Sequence, residues 1–283
     1  MIDLDAASFL LQWAVGGLFF LWVTTRRREV GIGYGWLMRS IFLTMALGSI
    51  LVSQVVGPVP VRDAAAVGVS FGAALALFVS WQRRAAGVSG QREVVERRSA
   101  RVAAMTGIDR DEQRFDTAAK EFPPALDLIA PAFGLVGLVA AGIDAGSPAW
   151  LSVARLVVGA LFLGAVTDAM LLGHWYLVQP GLARGPLLEL VRWTGWLWPF
   201  EVAVFLIPVG MISVLNGTID DKYGGILGWM WVTCAITTIG LVIVTRAALK
   251  ERQYSAVMAA TGLLYLAILT AFGTDLVARA VLA

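Results

Sequence analysis

Three ionisable residues stand where a lipid-compatible sequence tolerates them least. Asp168 and the chain's single histidine, His174, fall in the apolar run Thr167-Asp-Ala-Met-Leu-Leu-Gly-His-Trp-Tyr-Leu-Val-Gln-Pro180, and Glu201 falls about ten residues into another run, just after Pro199. Ionisable groups are costly in hydrocarbon, so each marks a functional site by default unless it reaches an interface. Two chemistries suit them. Asp168 and Glu201 could take up and release protons within the membrane. Alternatively, His174, Trp175, Tyr176, Asp168, Glu201 and Trp198 could hold a quinone or lipid-like head group. Such a group needs flat aromatic walls, a donor for each carbonyl oxygen and a titratable neighbour for the coupled proton.

Helical geometry limits how these residues combine. Asp168 follows Ala160 and Gly164 at i,i+4 spacing, which puts the carboxylate on a small-residue face directed at a neighbouring helix. His174 is six residues farther on, about 9 Å along the axis and roughly 120° around it, so the two cannot touch. Pro180 stops the helix at about Gln179, which leaves His174, Trp175 and Tyr176 at the cytoplasmic membrane surface. There, Trp175, Tyr176, Trp193, Trp196 and Trp198 equally form an interfacial aromatic belt with His174 as its polar member. Pro199, followed by Pro208, is expected to kink the helix that carries Glu201.

The elements that would position these residues are transmembrane helices. Eight apolar segments, approximately 6–24, 36–56, 64–82, 125–143, 149–178, 192–215, 226–245 and 255–278, are long enough to cross a hydrocarbon core, which takes about 20 helical residues. Continuous runs of this length exclude barrel strands, which alternate over about ten residues. The expected fold is therefore an all-α polytopic membrane protein, a single integral domain over 1–283. Met1-Ile-Asp-Leu-Asp5 lacks the positive segment of a cleaved signal, and the first run ends in Arg26-Arg27-Arg28, so it reads as a retained helix. Arg83, Arg84, Arg184, Arg192, Arg246, Lys250 and Arg252 fall on the same side as Arg26, whereas the opposite loops 57–63, 144–148 and 216–225 carry only Arg62 and Lys222. The positive-inside rule then gives an N-out, C-out topology.

Between helices 3 and 4 lies a charged cytoplasmic connector of ~40 residues, 83–124, in which Glu93 and Arg97 at i,i+4 and Val95 and Val102 at i,i+7 suggest a helix on the membrane surface. Gly31-Ile-Gly-Tyr-Gly35 has no preceding strand and reads as a flexible turn into the second helix. Ala64, Gly68, Gly72 and Ala76, four apart, form a packing strip. Arg39, Asp127, Arg155 and the i,i+4 pair Asp275–Arg279 lie near helix ends, where snorkelling or local pairing explains them.

Composition narrows the function. With 58% hydrophobic and 15% charged residues and a mean hydropathy of +0.76, a soluble core is excluded as the main architecture. A net charge of +2 in scattered clusters gives no nucleic-acid surface. One cysteine, Cys234, excludes disulfides, thiolate-bound iron–sulfur clusters and cysteine-rich zinc sites, and one histidine excludes bis-histidine haem. No covalently bound cofactor is indicated, and nothing favours haem or metal. No hydrolase, metalloprotease, Walker or dinucleotide motif is present, so stand-alone catalysis is not indicated.

The expected function is a membrane-integral subunit or accessory protein of a redox or respiratory electron-transfer complex, with quinone or lipid at the cytoplasmic leaflet. Its partners would be the bilayer and other membrane or soluble subunits, in a bacterial plasma (inner) membrane. One alternative is a proton-coupled secondary transporter using Asp168 and Glu201. Another is a purely structural or assembly subunit. In helix count, N-out topology and lack of haem ligands, the chain resembles the NrfD-like quinone-reactive membrane subunits of redox complexes, a likeness of architecture that assigns no residues.

Overall fold

The computed structural model describes residues 5–90, 92–93, 116, 118–179, 182–208, 210–251 and 253–282. These residues form helices α1 (Ala6–Thr25), α2 (Ile32–Val56), α3 (Pro60–Gln82), α4 (Ile129–Asp144), α5 (Ala149–Val178), α6 (Gly185–Leu206), α7 (Gly210–Leu215), α8 (Ile226–Ala248) and α9 (Tyr254–Leu282), with no strand among them. Short 3-10 turns cover Arg84–Ala86 and Pro124–Leu128. Seven helices are long and apolar enough to cross a membrane: α1, α2, α3, α4 with its leading turn, α5, α8 and α9. The expected surface helix around 93–102 lies almost wholly outside the described residues.

The bundle is built around α1 and α5, whose most apolar windows are 67% and 72% buried, more than those of the other five. Small residues permit this. A Cβ on Gly16 would lie 1.7 Å from the Ala160 carbonyl oxygen, and one on Gly164 would lie 2.2 Å from the Gly16 carbonyl carbon. The two backbones therefore touch along the face that carries Asp168, as the Ala160/Gly164 spacing predicts. Next to this contact, Phe42 of α2 fills the notch left by Gly17. In the α3 strip, Gly68 meets Phe133 and Gly72 meets the Ala130 backbone, although Ala64 at its start is exposed.

Two sequence expectations need correction. The segment 192–215 is not one kinked helix, because α6 begins earlier, at Gly185, continues through Pro199 and ends at Leu206. Pro199 leaves α6 intact while Trp198 ties it to α8 through a 2.9 Å bond from its indole N–H to the Ala235 carbonyl. The break falls at Pro208, which cannot donate and holds Ile207 extended at φ −94°, ψ 142°. Gly210, at φ +39°, then restarts the chain as α7, and a Cβ there would lie 2.0 Å from the Phe205 carbonyl oxygen. Met211 and Val214 of α7 pack with Phe205, Trp231, Val277 and Ala278 in a small second core.

Likewise, Gly31–Gly35 is not simply a turn. Only Gly31 lies outside α2, and Gly35 sits inside it because its missing Cβ, 2.6 Å from an Arg39 nitrogen, leaves room for that buried guanidinium.

The loop before α8 is organised by Asp221, whose carboxylate accepts the backbone N–H groups of Gly225 (2.8 Å), Leu227 (2.8 Å) and Tyr223 (3.0 Å). Gly225 heads the donors that hold this carboxyl below its usual range. Because the folded form binds the proton less well than the unfolded chain, this contribution is present above the ordinary carboxylate value and disappears as pH falls through the depressed one.

Gly16→Ala should destabilise the protein by about 3 kcal/mol in detergent unfolding, whereas Gly262→Ala, with open space around it, should not; equal stabilities would refute the backbone contact. Asp221→Asn should lower the melting temperature at neutral pH, and the gap from wild type should close as the medium is acidified; a gap constant with pH would remove Asp221 as the loop's anchor.

Candidate functional site

Most polar groups buried in this bundle have partners. Serines and threonines return their hydroxyls to carbonyls of their own helices, as Thr194 does to Leu190, Thr238 to Cys234 and Thr261 to Val257. Arg39 and Asp127 form a two-pronged pair at 2.7 and 2.8 Å between α2 and the turn before α4. Ser80 accepts a third bond from Arg39, Phe122 stacks under its guanidinium at 4.3 Å, and Thr25 donates to Asp127. Arg62, fully buried in the first turn of α3, reaches Asp5, Asp63, Ser8 and the Gly57 carbonyl. Cross-helix pairing, not snorkelling, therefore accounts for Arg39 and Asp127.

Near the opposite end from Arg39, a second polar cluster joins α1, α5, α6 and α9. Asp275 and Arg279 form the expected i,i+4 pair at 2.6 Å, but they are buried and closed into a triangle by Gln12. Arg279 donates to the Gln12 amide oxygen at 2.5 Å, and the Gln12 amide nitrogen donates to Asp275 at 3.3 Å. Gly159 leaves the space, since a Cβ there would lie 2.5 Å from the Gln12 nitrogen. Arg155 is likewise buried: it donates to the Val204 and Ile207 carbonyls at 3.0 and 3.2 Å and so satisfies the frayed C-terminus of α6.

Glu201 is fully buried within electrostatic reach of Asp275 and Arg279, yet neither of its carboxylate oxygens has a hydrogen-bond partner. Arg279 Nη1 is also without one.

Asp168 forms a separate place on α5. It too is fully buried with both oxygens unpartnered, while its backbone carbonyl accepts the Tyr34 hydroxyl at 3.4 Å. Beside it, Thr167 accepts the Trp13 indole N–H at 2.9 Å and donates to Leu163. Since α5 and α6 run antiparallel with Arg155 against Val204, Glu201 lies about level with Gly159. Asp168 is then roughly 14 Å farther along the axis. Buried Thr194, seven residues before Glu201 on the same face of α6, falls between those levels.

The remaining candidates divide further. Trp175 bonds Gln179 at 3.1 Å and meets Tyr34 edge-on, with ring centroids 6.0 Å apart. Tyr176 is buried and donates to the Ala183 carbonyl. His174 is exposed on the bundle surface, its Nδ1 3.1 Å from the Tyr265 hydroxyl of α9. Trp198 faces α8. The structure thus gathers Asp168, Trp175 and Tyr176 around Tyr34, and it separates them from Glu201 and from His174. Sequence reading missed Gln12, Trp13 and Tyr34 as members of these places; Gln12, the only amide in its apolar helix, carried a signal. Among the described residues, no three His, Cys, Asp or Glu side chains converge to hold a metal ion.

These contrasts give a stability test. Asp127→Ala strands the buried Arg39 and should cost about 3–5 kcal/mol in detergent unfolding. Glu201→Gln and Asp168→Asn remove no hydrogen bond and should each cost under about 1 kcal/mol; losses as large as that of Asp127→Ala would make both carboxylates structural. The chain matches no family profile, no curated protein and no solved structure.

Proposed function

We propose that the protein is a proton-coupled membrane transporter in which Glu201 and Asp168 are the proton-carrying groups. The observation that carries this reading is the pair of fully buried carboxylates, neither oxygen of either having a hydrogen-bond partner among the described residues, in a bundle that pairs Arg39, Arg62 and Arg279 with carboxylates. An ionisable residue within a membrane bundle is costly and marks a functional site by default, and neither carboxylate has a structural hydrogen bond that would account for it otherwise. Asp168 serves one end, in the surroundings of Tyr34, whose hydroxyl bonds its backbone carbonyl, and of Tyr176. Glu201 serves the other, within electrostatic reach of Asp275 and Arg279. The α6–α7 break supplies the movable element, since interrupted helices next to buried charges are a recurring transporter device.

The gathering of Arg26, Arg27 and Arg28 with Glu189 and Glu121, and of Arg184 with the Leu249 and Gln253 carbonyls, supports an orientation with this end cytoplasmic and eight crossings, α6 among them. Both termini then face outward, as in a bacterial plasma membrane. The alternative, a quinone-reactive subunit of a redox complex, draws support from the exposed His174–Tyr265 pair, which a quinone could reach from the lipid. That reading has no use for the unpartnered Glu201.

The test uses protons themselves as the probe. Purified protein in liposomes with an entrapped pH-sensitive dye, under a potassium diffusion potential, should move protons faster than empty liposomes. Glu201→Gln and Asp168→Asn should each slow this at least about tenfold, within the range general acid–base groups contribute. Unchanged rates in both variants would reject the proposal.

A further inference from the structure

A surface groove of about 490 Å³ runs along α2 and α3, lined by Trp36, Ala74, Leu77, Phe78 and Trp81. Its walls are apolar, and Phe78 and Trp81 are each more than half exposed. From Ala74 to Trp81 is roughly 10 Å along the helix, so the groove reaches from the arginine-rich end toward the middle of the bundle. Next to Trp81, in the turn that follows α3, stands Arg84. Its guanidinium lies 4.4 Å over the Trp81 ring and bonds the Trp81 carbonyl at 3.2 Å. Unlike Arg26, Arg27, Arg28 and Arg92, it has no carboxylate partner among the described residues. A cation without a carboxylate partner among the described residues is thus held, by stacking, on a tryptophan that lines an apolar trough.

We infer that this groove is a binding site for one anionic glycerophospholipid, with an acyl chain along Trp36, Leu77 and Phe78 and the phosphate on Arg84. The chemistry matches part by part. A guanidinium recognises phosphate through paired N–H donors, and tryptophan favours the depth between head group and chain. A basic position at a helix end, next to an apolar surface, is where anionic head groups settle. A second copy of the chain fits less well, because symmetric packing across the groove would bring two like-charged Arg84 side chains together. This site is independent of the proton-carrying residues.

The experiment is native mass spectrometry of the delipidated full-length protein titrated with phosphatidylglycerol or phosphatidylcholine. Wild type should bind one phosphatidylglycerol in preference to phosphatidylcholine. Arg84→Gln should weaken phosphatidylglycerol binding about fivefold, in keeping with the contribution of one arginine at a membrane surface, and weaken phosphatidylcholine less, because its choline cation already offsets the phosphate charge. Ala74→Phe, which fills the groove from an exposed position, should weaken both lipids. Equal affinity of wild type and Arg84→Gln for phosphatidylglycerol, undiminished binding by Ala74→Phe, or a dimer that Ala74→Phe dissociates would each overturn the assignment.

Discussion

A polar group inside an apolar bundle can be satisfied only by another part of the protein, and this constraint organises the structure. It explains why threonines return their hydroxyls to their own helices, why Arg39 meets Asp127 across two elements, and why Arg155 leaves its own helix to take the open carbonyls of α6. The two arginine solutions each tie two elements together at a defined level. Asp168 and Glu201 then stand out because their surroundings are built to the same rule and leave them without partners.

Packing and chemistry meet in α1. The contact of Gly16 with Ala160 and Gly164 draws α1 onto α5 at backbone distance, and the same approach carries Gln12 to the Asp275–Arg279 pair and Trp13 to Thr167 beside Asp168. A bulkier residue at Gly159 would occupy the space of the Gln12 amide. The two carboxylate sites are thus separate along the bundle but share one support. Glu201 is joined to the α6–α7 break through its own helix, because Arg155 holds the Val204 and Ile207 carbonyls a turn beyond it.

Much of the helical framework was legible because its signal is local. Long apolar runs marked the helices, the span 149–178 coincides with α5, and the four-residue spacing of Ala160, Gly164 and Asp168 identified the contact face. What the sequence did not disclose depends on which helices become neighbours. Pro199 and Pro208 look alike in sequence, yet one is held within α6 while the other, with Gly210 after it and Arg155 beside it, ends the helix. Arg39, Asp127 and Arg155 look able to snorkel until their partners on other helices are known. Similarly, His174 and Asp168 share a stretch of chain, but six residues of helical rotation send one to the surface and the other to the centre. Gln12 and Tyr34 matter only through the residues they meet.

The proposed transport requires Glu201 to exchange protons with water from within the bundle. Infrared difference titration of the reconstituted protein in water and in D2O tests it most directly. The expected result is a carboxyl C=O band that titrates, shifts in D2O and is absent from Glu201→Gln while remaining in Asp168→Asn. A spectrum in which no titrating, exchangeable band depends on Glu201 would contradict the claim.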